Sequence, residues 1–167
     1  MERRDAIKTA AVGLMVLSSR GDIAAEPQVE VLSIKVIEPS RTAYIGWPTL
    51  TRRKNGQLLL AASGTRESHV CPFGSVQLFR SNDDGKTWLM PQTILDTPTD
   101  DRDAGILETA SGTLLATTFT SDAYVSVLEK ARSAGNWDAD RLALWEAAAA
   151  RITPAELKAT LGVWMMR

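Results

Sequence analysis

Ser81-Asn82-Asp83-Asp84-Gly85-Lys86-Thr87-Trp88 is the stretch on which the fold reading turns. It follows a short apolar run, Ser75-Val76-Gln77-Leu78-Phe79-Arg80, and has the pattern Ser-x-Asp-x-Gly-x-Thr-Trp. The physics of that pattern is local. A short acidic side chain such as Asp83 accepts hydrogen bonds from turn amides, as in an Asx-turn. Gly85 supplies a residue at positive φ without steric cost. Trp88 is expected to start the next strand and to bury its ring against the sheet.

Outward from that turn, the chain repeats itself at an offset of about 56 residues. Leu50 falls on Ile106, Asn55 on Ser111, Gly56 on Gly112, Leu58 on Leu114 and Leu59 on Leu115. Each copy reads as strand, polar turn with glycine, strand. Asn55-Gly56 and Ser111-Gly112 are hairpin turns, because glycine accepts the positive φ of a tight primed turn. A third strand at 75–80 is echoed by 162–167, and both runs close on arginine. Such a repeat predicts an all-β chain built of propeller blades, which take about 40 to 50 residues each. The competing reading is a complete small β domain, which leaves strand edges unpaired. An insert at about 121–161 is helical in pattern. Residues 123–132 have helical spacing that Gly135 can end, and 141–150 are alanine-rich. Thr153, Pro154 and Glu156 then form a capping box with proline at the first helical position, and Gly162 terminates the helix.

Composition bounds the function. The 167 residues carry 19 Lys and Arg against 20 Asp and Glu, for a net charge of -1. That balance lacks the basic surplus of a nucleic-acid-binding domain. With 44% hydrophobic and 23% charged residues the chain is not an acidic disordered tail. One cysteine excludes an internal disulfide and a multi-cysteine zinc site. No apolar run reaches the roughly 18 residues of a transmembrane helix.

Residues 1–25 read as an export signal. Arg3-Arg4 precede a mild apolar segment at 9–17, and Ile23-Ala24-Ala25 offers a small residue for cleavage. The order resembles the bacterial twin-arginine signal, which implies handling by the export machinery and a periplasmic or secreted location. The mature domain then spans 26–167.

The octapeptide from Ser81 to Trp88 resembles the Asp-box of the sialidase (neuraminidase) superfamily, with Ser81, Asp83, Gly85, Thr87 and Trp88 at the usual positions. Sialidases open with Arg-Ile-Pro, then Ala-x-x-x-Arg, then the Asp-box. The same order here is Gly46-Trp47-Pro48, then Ala62 to Arg66, then the octapeptide. The resemblance implies a six-bladed β-propeller of which this chain holds the first one and a half to two blades, an amino-terminal fragment. Blade one is about 44–95 and blade two about 101–167, with the helical insert inside it. In the family the Asp-box supports the fold and lies away from the active site.

The resemblance also implies a chemistry. Sialidases bind a sugar carboxylate with three arginines, whose forked guanidinium suits that anion. They use an Asp as acid/base and a Tyr nucleophile assisted by a Glu. Gly46 replaces the first arginine of the motif, and Arg66 matches the second. The family's acid/base Asp is expected a few residues after Arg66; Glu67-Ser68-His69-Val70-Cys71 stands there without an Asp, so Glu67 and His69 are the candidates for that role. The cluster Asp100-Asp101-Arg102-Asp103 precedes the second copy's first strand, with Arg102 opposite Gly46. Arg102 is thus a candidate replacement cation, and Asp101 and Asp103 candidate partners for sugar hydroxyls, Asp103 also for catalysis. The plain alternative is a solvated loop of self-paired charges. His69 and Cys71 make no closed metal site alone, and Ser68 beside His69 is a poor nucleophile–base pair. No cofactor or metal is expected. Two functions stay open: an exported glycoside hydrolase of exo-α-sialidase type, and a propeller that binds glycans or proteins without hydrolysis or cleaves a different sugar.

Overall fold

The structure, a computed structural model, describes residues 30–37 and 44–167. The chain divides into two compact units, Met1–Lys35 and Val36–Arg167. Residues 30–35 of the first are exposed and carry neither helix nor strand. The export signal read at 1–25 lies outside the described residues.

In the second unit the strands are β1 (Tyr44–Arg52), β2 (Leu58–Arg66), β3 (Ser75–Ser81), β4 (Gln92–Leu95), β5 (Asp100–Glu108), β6 (Leu114–Ser121) and β7 (Gly162–Met166). Helices α1 (Ala123–Ala134), α2 (Ala139–Ala149) and α3 (Pro154–Thr160) lie between β6 and β7. All strand pairs are antiparallel, in a four-stranded sheet of order β1-β2-β3-β4 and a three-stranded sheet of order β5-β6-β7. Alternation explains the shared core. Leu59 and Ala61 of β2, Val76 and Leu78 of β3, and Ala104 and Ile106 of β5 occupy alternate positions on their strands, and with Ala116 of β6 they form one buried cluster. A second cluster joins Cys71 of the β2–β3 loop to Tyr124, Leu128 and Trp145 of the helices.

The expectation of an all-β propeller is corrected here. The described residues form an α+β fold of two small antiparallel sheets and three helices, with no closed ring or barrel. The physical reason is the second core. The helices are not a decoration on a strand repeat, because they bury Trp145 and Tyr124 completely against the loop that joins two strands.

The 56-residue repeat has a structural counterpart in the two first hairpins. Gly56 and Gly112 turn them at φ 88° and 87°. Each hairpin has a register irregularity at corresponding places, between Gly46 and Thr49 and between Arg102 and Gly105. Inside these irregularities Trp47 and Asp103 both take left-handed backbone, at φ 52° and 49°. The Asp83 turn is built as its residues dictate. The carboxylate accepts from Thr87 N at 2.9 Å, Thr87 Oγ1 at 2.6 Å and Ser81 Oγ at 2.9 Å, and Gly85 N donates to Ser81 Oγ at 2.9 Å. Those bonds, the Thr87 hydroxyl's foremost, hold the Asp83 carboxyl down at about 2. Trp88, expected to start the fourth strand, instead precedes it and is half-buried, since β4 begins at Gln92. Thr153 and Glu156 cap α3 reciprocally, and Asp138 caps α2 through Arg141 N.

Candidate functional site

The bulge of β1 places Trp47 at the centre of a cluster. The guanidinium carbons of Arg66 and Arg102 each lie 5.1 Å from the centre of its ring. His69 of the β2–β3 loop tilts against the same ring at 5.0 Å, and Tyr44 meets it edge-on at 5.7 Å. Cations near an indole gain from the ring quadrupole. Beside the cluster, Trp47, Thr49, Asp103 and Thr117 line an open depression of about 380 Å³.

Arg66 and Arg102 differ in how their donors are used. Arg66 is fully buried. Its Nη1 and Nη2 hold Asp100 in a two-pronged ion pair at 2.6 and 2.9 Å. Its remaining donors reach Ser63 Oγ, the Asp101 carbonyl, the Ser68 carbonyl and the His69 carbonyl. Burial pushes the Asp100 carboxyl up, and the Arg66 fork opposes that. Arg66 therefore fastens the β2–β3 loop to β5, with no donor to spare for a ligand. Arg102 is 9% exposed and spans the space between Trp47 and Phe119. Its Nη2 lies 3.3 Å from His69 Nε2, whereas its buried Nε has no hydrogen-bond partner and sits 4.0 Å from Asp100 Oδ2.

The other residues singled out in the sequence separate. Glu67 is turned to the helices, where its Oε2 accepts from Trp145 Nε1 at 2.7 Å and its Oε1 pairs with Arg141 Nε at 2.5 Å. The guanidinium carbon of Arg141 lies over the Trp137 ring, 3.9 Å from its centre. Asp101 is buried and accepts from Thr97 N and Oγ1 at 2.7 and 2.9 Å. Burial, with Asp96 and Asp100 nearby, still pushes its carboxyl up to about 6 against the Thr97 bonds. Asp103 is exposed on the rim of the depression. The structure thus gathers His69, Arg102 and Asp103 around Trp47, and assigns Arg66, Glu67 and Asp101 to internal bonding. Among the described residues there is no cluster of three or more His, Cys, Asp or Glu side chains able to hold a metal ion.

Sequence reasoning missed the central place of Trp47 and the role of Asp100. The repeat contains the signal for the first, since it sets Gly46-Trp47 opposite Arg102-Asp103. Asp100 had no signal beyond membership of a charged run.

No protein-family model matches the chain. A search of curated proteins finds no match. Among solved structures, the chain is similar to a protein of unknown function from Dyadobacter fermentans DSM 18053, with 26% identity and a TM-score of 0.47. The match covers 51% of this chain and 26% of that one, so the chain spans about a quarter of that protein's length.

Proposed function

We propose that the protein recognises terminal sugars of glycans, acidic ones foremost, at the cluster of Trp47, His69, Arg102 and Asp103. The observation that carries this reading is Arg102, a nearly buried guanidinium beside an indole and an imidazole whose Nε has no hydrogen-bond partner. A planar aromatic ring offers a sugar an apolar face, and a guanidinium with free donors selects a carboxylate. Asp103 stands on the same rim as an acceptor for sugar hydroxyls. The likeness of Ser81 to Trp88 to the Asp-box supports a protein of sialidase type, exported by the signal at residues 1–25.

A second reading, glycoside hydrolysis of exo-α-sialidase type, is favoured by one observation. Asp103 and His69 are both exposed beside Trp47, and each is a residue type that transfers protons in glycan chemistry. Recognition is the better-supported function because Glu67, Asp100 and Asp101 are committed to internal partners. Calorimetric titration of the protein with N-acetylneuraminic acid and with neutral monosaccharides tests the reading, alongside turnover of a fluorogenic sialoside. Binding that weakens about tenfold or more in Arg102→Gln agrees with a charge-assisted contact. Sugar binding unchanged in both Arg102→Gln and Trp47→Ala places the site elsewhere. Turnover lost in Asp103→Asn would promote the second reading.

A further inference from the structure

We infer that His69 and Arg102 form a proton-controlled anion clamp, in which a carboxylate-bearing sugar binds with uptake of one proton by His69. The inference rests on the glycan reading above and adds to it the charge of the ligand and the pH dependence of its capture.

The contact between Arg102 Nη2 and His69 Nε2, at 3.3 Å, defines the resting state. A guanidinium has donors and no acceptor, so Nε2 accepts in this pair. His69 is then neutral, with its proton on Nδ1. A proton added at Nε2 removes the acceptor and leaves two N–H groups, and two positive charges, facing each other. An anion placed between them satisfies both donors and cancels the repulsion.

The surroundings of His69 leave that anion to a ligand. From β1 it meets the Trp47 ring, and from β5 the Arg102 guanidinium. Arg66 donates to the His69 backbone carbonyl at 2.8 Å and not to its ring. Asp100, the carboxylate behind Arg102, is held by both arms of Arg66. Glu67, two residues away, is bound to Trp145 and Arg141 on the helical side. No described carboxylate therefore hydrogen-bonds to the His69 ring. A second, independent feature points the same way: Arg102 Nε is buried without a hydrogen-bond partner. A carboxylate that drew the guanidinium off His69 would meet this donor as well.

His69 is the sole histidine of the chain, so its ring resonances are unambiguous. The full chain is titrated with N-acetylneuraminic acid and with N-acetylglucosamine at several pH values, following affinity by calorimetry and His69 by NMR. Affinity for the acid sugar should tighten about tenfold from about pH 8 to about pH 5.5, while the neutral sugar shows no such change. Saturation with the acid sugar should move the His69 resonances to their protonated positions at a pH where the free ring is neutral. In His69→Gln, which keeps an acceptor for Arg102 but takes up no proton, the pH dependence should vanish and the weaker high-pH affinity remain. Acid-sugar binding of equal strength across the range, or a ring that stays neutral at saturation, overturns the clamp and leaves the glycan reading standing. Failure of both sugars to bind at every pH removes the glycan reading and the clamp with it.

Discussion

Gly74 tests whether the Arg66–Asp100 pair is close-packed. A Cβ built there would sit 2.2 Å from Asp100 Oδ1, 2.3 Å from Arg66 Nη1 and 2.7 Å from the Asp101 carbonyl oxygen. None of these atoms has room to retreat. Both side chains of the pair are fully buried. Arg66 is tied to Ser63, Ser68 and His69, and the Asp101 carbonyl also accepts from Ser63 Oγ at 2.7 Å. Gly74 does not adopt the left-handed backbone, so the penalty of Gly74→Ala is steric. The entropic gain of alanine over glycine in the unfolded chain is about 0.4–1 kcal/mol. Against it stands overpacking of about 1–3 kcal/mol. Forcing the pair apart would bring the cost nearer the roughly 3–5 kcal/mol of a broken buried ion pair. The steric side wins, with a net loss of about 2–4 kcal/mol. Gly64→Ala is the comparison, because the atoms nearest its Cβ would be the terminal amide of the Gln77 side chain. That side chain can swing aside, so the loss there should be about 1 kcal/mol or less. Urea unfolding at constant m reads both. A Gly74→Ala protein as stable as the parent, or no worse than Gly64→Ala, would refute the reasoning.

Three further outcomes are expected. The Asp101 carboxyl, raised from 3.8 to about 6, favours the folded state only while protonated. The sign follows from a folded value above the unfolded one: stability is full below about pH 4 and falls as pH rises through about 6, by at most about 3 kcal/mol for that single group. Thermal melts should show this slope, and Asp101→Asn should flatten it; an identical profile in the variant rules the assignment out. Asp83 behaves oppositely, since its carboxyl is lowered to about 2. Its contribution holds above about pH 4 and fades as pH drops through 2, so Asp83→Ala should lower the neutral-pH urea midpoint and lose that acid dependence. At Glu67, the half-exposed pairing with Arg141 is worth little, about 0.5 kcal/mol, whereas stranding the buried Trp145 N–H costs about 1–3 kcal/mol. Glu67→Ala should therefore cost clearly more than Glu67→Gln in melting experiments, and equal losses would contradict the hydrogen bond's importance.

Local chemistry was the legible part of this sequence. The turn at Asp83, the glycine turns at Gly56 and Gly112 and the capping box of α3 each depend on neighbours a few residues apart, and the structure builds each from those residues. The global arrangement was not legible in the same way. A strand repeat suggested a propeller, but repetition fixes hairpins and not how sheets and helices share cores. Trp145 and Cys71 pack together across 74 positions of sequence, and no periodicity announces such a contact. The site divided along the same line. Arg102, His69 and Asp103 could be proposed from residue type and repeat position. That Arg66 is saturated, and Glu67 turned away, depended on Asp100 and Trp145 reaching them from distant elements.

The two arginines beside Trp47 show how differently neighbouring guanidinium groups can be matched by the same core. They lie at equal distances from the indole, Arg66 at the end of β2 in one sheet and Arg102 near the start of β5 in the other. Arg66 meets a carboxylate with both arms and four further acceptors, so every donor is satisfied and its removal would strand Asp100 in the interior. Arg102 inherits only the edge of that carboxylate, 4.0 Å away, and a histidine whose lone pair is available only while the ring is neutral. A buried donor left unmet costs folding free energy. The left-handed backbone of Trp47, a poor conformation for a bulky residue, adds about 1–3 kcal/mol more at the same spot. Both costs fall within one cluster, while the rest of the core keeps Arg66 and Asp100 fully matched. On the proposed reading, an anionic ligand would recover the first of them directly, by supplying the acceptor that Asp100 gives to Arg66 and withholds from Arg102.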